Sequence, residues 1–105
     1  MLWYIYLAYF FGGAFIANAI PHVLMGIARR PFPTPFASPP FRGLSSPPMN
    51  IIWACLNFAV AYCLLALLRP VDVRQWAQVA SALAGFTVMG LVVARSLKRL
   101  RPAAH

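Results

Sequence analysis

His22 is the residue of this sequence best suited to chemistry. It follows Asn18 by four residues within a long uncharged run, and on a helix this spacing places both polar side chains on one face. A neutral imidazole can ligate the iron of a haem or the magnesium of a chlorophyll. Small neighbours would leave room for such a flat macrocycle: Ala14, Ala17, Ala19 and Gly26. His22 is therefore a candidate cofactor-binding residue, with haem or a chlorophyll-type pigment as the cofactor.

A structural role is the alternative for His22. Pro21 lacks an N–H and disrupts the helical hydrogen bond to the Ala17 carbonyl, so His22 could bond a freed carbonyl or the proline-rich segment downstream. A proton relay would need a second titrating group, and none is near in sequence. The only other histidine is His105, so bis-histidine haem ligation would need a second chain.

Composition excludes most other chemistry. Asp72 is the only acidic residue, so the sequence has no carboxylate pair for glycosidase or aspartic-protease chemistry and no acidic cluster for calcium or magnesium. Cys55 and Cys63 are eight residues apart on one predicted helix, about 12 Å along its axis, which is too far for a disulfide. We expect no enzymatic activity and no metal site.

The elements that must position these residues are membrane spans. The chain has 105 residues, of which 62% are hydrophobic and 10% charged, whereas soluble domains carry about 25% charged residues. Three apolar runs are each long enough for a helix that crosses a hydrocarbon core of about 30 Å, and we place the spans at about 2–28, 47–68 and 73–94. The sequence predicts a single all-α membrane domain over 1–105, with a long loop at 29–46.

Two of these spans carry helix-start signals. Ser46 is placed to cap the second helix, with Pro47 at the first helical position. Asp72 is followed three residues later by Gln75, which resembles a capping box at the start of the third helix. The lone acid would then have a structural role.

Basic residues predict the orientation. Seven of the nine lie in the first loop or after the third span, against two, Arg69 and Arg74, at the opposite end of the bundle. Cytoplasmic flanks carry the excess of Lys and Arg, so we expect the N-terminus outside and the loop and C-terminus in the cytoplasm. Aromatic residues at the other end, including Tyr9 and Trp76, are expected at the outer interface. Four basic residues are expected to bind anionic lipid headgroups: Arg95, Lys98, Arg99 and Arg101.

Three polar residues are predicted to lie at one depth in the membrane. Asn18 and Thr87 are ten and seven residues from the cytoplasmic ends of their spans, and Asn57 is eight residues past Met49, where the second apolar run begins. At the helical rise these distances are about 11–15 Å. We predict an interhelical polar layer of Asn18, Asn57 and Thr87, which would hold the bundle together. The alternative is a polar lining for a ligand.

The connection between the first two spans is rich in proline. Seven of the ten prolines lie between Arg29 and Pro48, and alternating prolines favour extended backbone over helix. Such a long irregular loop in a small protein is usually functional. We predict that it docks on a partner through Phe32, Phe36, Phe41 and Arg42, with a self-packed cap over the helices as the alternative.

Two motifs follow one another in the middle of the chain: an N-A-x-P-H element at Asn18–His22 and a P-F-P-T-P-F-A loop at Pro31–Ala37. On these motifs the chain resembles, over residues 18–57, a family of small, uncharacterised bacterial inner-membrane proteins. Phe41 and Ala54 stand where the family pattern has glycine. The resemblance implies a multi-pass protein of the bacterial inner membrane, and it implies no activity.

Taken together, these features favour a non-catalytic accessory subunit that packs against a larger membrane complex. We expect that complex to be energy-transducing, either photosynthetic or respiratory. One alternative is a small homo-oligomeric transporter or channel, although no acidic residue lies inside a span. The other is a haem- or pigment-binding protein that uses His22. The net charge of +8 is explained by the membrane flanks, so no nucleic-acid partner is expected.

Overall fold

The computed structural model describes residues 2–97, and this part of the chain contains helices and no strands. Helix α1 spans Trp3–Ile27, α2 spans Pro47–Tyr62 and continues as a π-helical turn over Cys63–Leu67, and α3 spans Trp76–Ser96. The three helical segments are long and apolar enough to cross a membrane. The predicted all-helical, three-span fold is confirmed, and α3 begins three residues later than expected.

Helix α1 lies at the centre of the fold. It packs against both α2 and α3, and within residues 2–97 these two do not pack against each other. The apolar stretch of α1 is accordingly 39% buried within the protein, that of α2 22% and that of α3 11%. Most of the surface of α3 is therefore left for lipid or another protein.

The α1–α3 crossing depends on two glycines. A Cβ at Gly13 would collide with the carbonyl of Ala82, and one at Gly85 would collide with the carbonyl of Phe10. Small residues allow helix backbones to approach closely in membranes, and both glycines belong to small-residue elements of the sequence, Gly12–Ala14 and Ser81-xxx-Gly85. Gly90, which with Ala94 forms a second such pair on α3, faces open space, so it makes no such contact in the described structure.

The starts of α2 and α3 differ from one another. The Ser46 hydroxyl accepts a 3.3 Å hydrogen bond from the Met49 N–H, so the predicted cap is confirmed. The capping box predicted at Asp72 is wrong. Its carboxylate accepts from the Arg74 N–H at 2.9 Å, which closes a turn before the helix, and Gln75 takes the N-cap position without a side-chain bond.

Helix α1 ends in a turn that directs the chain back over the helices. Arg29 takes a left-handed φ of 62°, and the Arg30 N–H bonds the Met25 carbonyl at 2.9 Å, as in a Schellman cap. Phe32 and Ser45 then pair in an isolated antiparallel bridge that closes the base of the loop. The loop is therefore a folded segment.

Candidate functional site

The centre of the candidate site is a hydrogen bond between α1 and α2. His22 Nδ1 lies 2.8 Å from Asn50 Oδ1, and both side chains are buried. Pro21, one residue earlier, lies within α1 without ending the helix. The structure therefore places His22 at a helix interface, in agreement with a structural contribution.

Asn50 also binds the loop. Its Nδ2 donates to the carbonyls of Phe32 at 3.1 Å, Ser45 at 3.2 Å and Ser46 at 3.1 Å. Three acceptors around one nitrogen fix the orientation of the amide. The oxygen that faces His22 can only accept, so the hydrogen in this bond belongs to His22 Nδ1. A neutral imidazole with its hydrogen on Nδ1 carries its lone pair on Nε2.

A second polar pair lies deeper in the bundle. Asn18 Nδ2 donates to Asn57 Oδ1 at 2.9 Å, and Asn57 Nδ2 donates to the Trp53 carbonyl at 2.8 Å. The structure thus brings together two members of the predicted polar layer.

Thr87 does not belong to this layer, which corrects the prediction. It is exposed and makes no hydrogen bond with the two asparagines in the described structure. Thr87 follows Gly85, which faces α1, by two residues. Two residues turn a helix by about 200°, so the Thr87 side chain points away from α1. Equal depth in the membrane is not sufficient for contact.

Buried hydroxyls hold the loop against the helices. Thr34 Oγ1 lies 2.6 Å from Ser45 Oγ and accepts from the Phe36 N–H at 3.1 Å. Phe32 is 8% exposed and contacts the His22 ring edge to face, with centroids 5.4 Å apart. The loop thus packs against the helices through Phe32 and is joined internally through Thr34, with a cis Ser38–Pro39 bond at its tip.

Of the four predicted docking residues, Phe32 is misassigned, because its ring is buried against His22. Phe36 and Phe41 are 60% and 65% exposed, and Arg42 is also exposed. Among the predicted headgroup-binding residues, Arg95 is exposed in the last turn of α3. The other three lie outside the described residues: Lys98, Arg99 and Arg101.

A cavity of about 280 Å³ lies between the loop, α1 and the end of α3. Its lining includes four polar side chains, those of Asn18, His22, Thr34 and Ser96, while Phe32, Trp53 and Val93 contribute apolar walls. Among the described residues that line it, none is Lys, Arg, Asp or Glu. The chemistry of this space suits a small, uncharged and partly polar molecule.

A haem or chlorophyll ring does not fit beside His22. Ala14, Ala17 and Ala19 are at most 6% exposed, and a Cβ at Gly26 would collide with Ile51 of α2. The small residues that suggested room for a macrocycle are thus used for helix packing. The remaining cavity is smaller than pockets that hold drug-sized ligands, about 300–1,000 Å³.

Sequence reasoning missed two residues that organise this architecture. Asn50 lies seven residues before Asn57, a spacing that places them on one helix face and could have revealed it. Tyr9, expected among the interfacial aromatics, is fully buried, and its hydroxyl donates to the Arg69 carbonyl at 2.9 Å. No local signal separates Tyr9 from the exposed Tyr4, because its partner lies 60 residues away.

The site therefore consists of two amide-centred pairs, a folded loop and an uncharged cavity. No protein-family model, curated protein or solved structure matches the chain. The function therefore has to be inferred from the chemistry of this site.

Proposed function

We propose that the protein is a non-catalytic accessory subunit that packs against a larger membrane complex of the respiratory or photosynthetic class. The loop is the docking element in this proposal. Within residues 2–97, every fully buried side-chain nitrogen and oxygen has a hydrogen-bond partner, and most of these bonds hold helices and loop together. The buried polar groups thus have a structural role: they hold the helices and the loop in place.

One observation carries the proposal: the fixed loop exposes large apolar side chains. Phe36, Phe41 and Leu44 are 60%, 65% and 56% exposed. The backbone that carries them is held by the Phe32–Ser45 bridge and by the Asn50 amide. Exposed aromatic residues on a preorganised backbone lose little conformational entropy on binding, and aromatic residues are enriched at protein interfaces.

The helices offer further surface for a protein neighbour. Leu83, Leu91 and Val92 of α3 are 60%, 66% and 55% exposed. Helix association in membranes depends on close packing more than on hydrophobicity, and Gly90 on the same helix leaves open space for an approaching backbone. A partner helix against α3 would be continuous with the loop surface, since the end of α3 and the loop line the same cavity.

The distribution of arginine residues supports a cytoplasmic position for the loop in this proposal. Arg29, Arg30 and Arg42 lie at or near the loop, on the same end of the fold as Arg95. By the positive-inside rule this end faces the cytoplasm, in the inner membrane of a bacterium as the resemblance implies. Arg95 and the basic residues after it would bind anionic headgroups at about 1 kcal/mol per charge.

Gentle extraction from native membranes tests the proposal. The chain should migrate with a larger assembly on native gels, and Phe36→Ala together with Phe41→Ala should release it while total expression is kept. Phe11→Ala is the matched control, because Phe11 is 50% exposed but lies in the half of α1 remote from the loop. A monomer or a pure homo-oligomer in the wild-type extract would contradict the proposal.

A further inference from the structure

Two hydrogen-bond acceptors of residues that line the cavity have no donor within residues 2–97. His22 makes one hydrogen bond in the described structure, through Nδ1, yet it is only 6% exposed. Because no fully buried nitrogen or oxygen in residues 2–97 lacks a partner, Nε2 retains some access from outside the ring, and the ring lines the cavity. The lone pair on Nε2 is therefore the acceptor that His22 can offer to a molecule in this space.

Asn18 supplies the second acceptor. Its Nδ2 donates to Asn57, and the Asn57 amide is itself oriented by the Trp53 carbonyl. Asn18 Oδ1 has no donor within the described residues, and Asn18 also lines the cavity. The two acceptors lie four residues apart on α1, about 6 Å along the helix axis.

The remaining walls select a flat and uncharged occupant. Phe32, Phe41 and Trp53 provide aromatic surface, and Val93 and Leu97 close the side toward α3. No Lys, Arg, Asp or Glu among residues 2–97 lines the cavity, so these walls offer a charged ligand no compensation for its lost hydration. The volume of about 280 Å³ admits a single substituted ring.

The expected depth of His22 in the membrane favours a lipid-soluble ligand over a water-soluble one. His22 lies five residues before the end of α1 at Ile27, about 8 Å along the helix. With the end of α1 at the membrane surface, this position would lie below the headgroups, within reach of a ring whose apolar substituents remain in the lipid. Water-soluble molecules with hydrogen-bond donors, such as sugars, would have to lose their hydration to reach this position.

We propose that the cavity binds a membrane-soluble quinol. Its two hydroxyl groups would donate to His22 Nε2 and Asn18 Oδ1, while the ring packs against the aromatic walls and Pro33. The oxidised quinone has the same ring but only acceptor oxygens, so it cannot make these two bonds. His22 and Asn18 would therefore favour the reduced form. This inference concerns the cavity under the loop, which shares Phe41 with the proposed docking face. Ligand binding to the isolated chain tests it separately from docking on a partner.

Binding is measured on the full chain in detergent, with duroquinol under anaerobic conditions and with duroquinone as the paired ligand. Trp3→Phe and Trp76→Phe leave Trp53 as the only tryptophan, since the chain has three, and Trp53 lines the cavity. Saturable quenching of its fluorescence by duroquinol is expected. Duroquinone should bind at least about tenfold more weakly, because two buried acceptors would stay unpaired.

Val93→Phe tests the location without touching either polar pair. Val93 lines the cavity, so a ring at this position fills it and should weaken duroquinol binding by about tenfold or more. Val92→Phe is the matched control, because Val92 is 55% exposed and does not line the cavity; its affinity should equal that of the wild type. Equal effects of the two substitutions would overturn the proposal.

The histidine ring itself provides a second measurement. In a His105→Gln background with ¹⁵N-labelled histidine, duroquinol should shift the resonance of unprotonated Nε2 upfield, as expected when this nitrogen accepts a hydrogen bond. Duroquinone should leave it in place. An unchanged Nε2 resonance at saturating duroquinol, or tighter binding of duroquinone than of duroquinol, would show that the cavity does not select a hydroxyl donor.

Discussion

His22 of α1 and Asn50 of α2 are joined by a buried hydrogen bond of 2.8 Å, and the same Asn50 amide binds three carbonyls at the base of the proline-rich loop. One side chain therefore connects two membrane helices and the segment between them. The position of the loop, and the tautomer of His22, both depend on it.

Asn50→Asp should release the loop. The substitution keeps the size of the side chain but replaces the donor Nδ2 with an oxygen that faces three carbonyl oxygens. We expect a loss of about 3 kcal/mol or more of folding free energy, because several buried acceptors lose their donor. Protease sensitivity at Arg42, an exposed loop residue, should rise in parallel with the fall in thermal stability.

Ile52→Asn serves as the control for this substitution. Ile52 lies two residues further along α2 and is 55% exposed, so a change there leaves the loop bonds intact. Protease sensitivity of the loop should stay at the wild-type level. If Asn50→Asp also leaves it unchanged, the amide does not hold the loop.

The Asn18–Asn57 pair should contribute a measurable coupling energy. A double-mutant cycle with Asn18→Leu and Asn57→Leu is expected to give about 0.6–2 kcal/mol, the range for interhelical hydrogen bonds in membranes. Thr87→Val should change stability by less than about 0.5 kcal/mol, because Thr87 is exposed and surface changes are usually small. A measurable coupling energy between Thr87 and either asparagine would contradict this assignment and would support a layer of all three residues.

Gly85→Ala should disrupt the α1–α3 crossing. The new methyl group would meet the backbone carbonyl of Phe10, which cannot move aside as a side chain could. We expect a loss of about 1–3 kcal/mol, as for overpacked cores. Gly90→Ala on the same helix meets open space and should be neutral or stabilising by up to about 1 kcal/mol, since alanine is the better helix former. Thermal unfolding in detergent separates the two outcomes.

Cysteine accessibility tests the orientation. In a chain with Cys55→Ser and Cys63→Ser, a cysteine is placed either at Ser38, which is exposed in the loop, or at Val73, which is 78% exposed between α2 and α3. With the loop in the cytoplasm, a membrane-impermeant maleimide should label Val73→Cys in right-side-out vesicles and Ser38→Cys in inverted ones. The reverse pattern would contradict the positive-inside assignment.

The sequence by itself determined the number of helices, their apolar character and the cap at Ser46. These features depend on residues close together in the chain. A run of about 20 apolar residues suffices to predict a span, and Ser46 bonds a backbone group only three residues away. The small residues at Gly13 and Gly85 were likewise recognisable as contact points, because close approach of helices needs side chains of minimal size.

Only the tertiary structure decided which polar residues meet. The partners of Asn18, His22 and Tyr9 lie 39, 28 and 60 residues away. An amide, an imidazole or a phenol can form hydrogen bonds with many kinds of group. Which partner each side chain meets therefore depends on how the helices are rotated about their axes. The packing of the helices around α1 depends on the same rotations. This packing buries Tyr9 and Phe32, and it leaves Thr87 on the exposed face of α3. It also fills the space that a macrocycle would have needed.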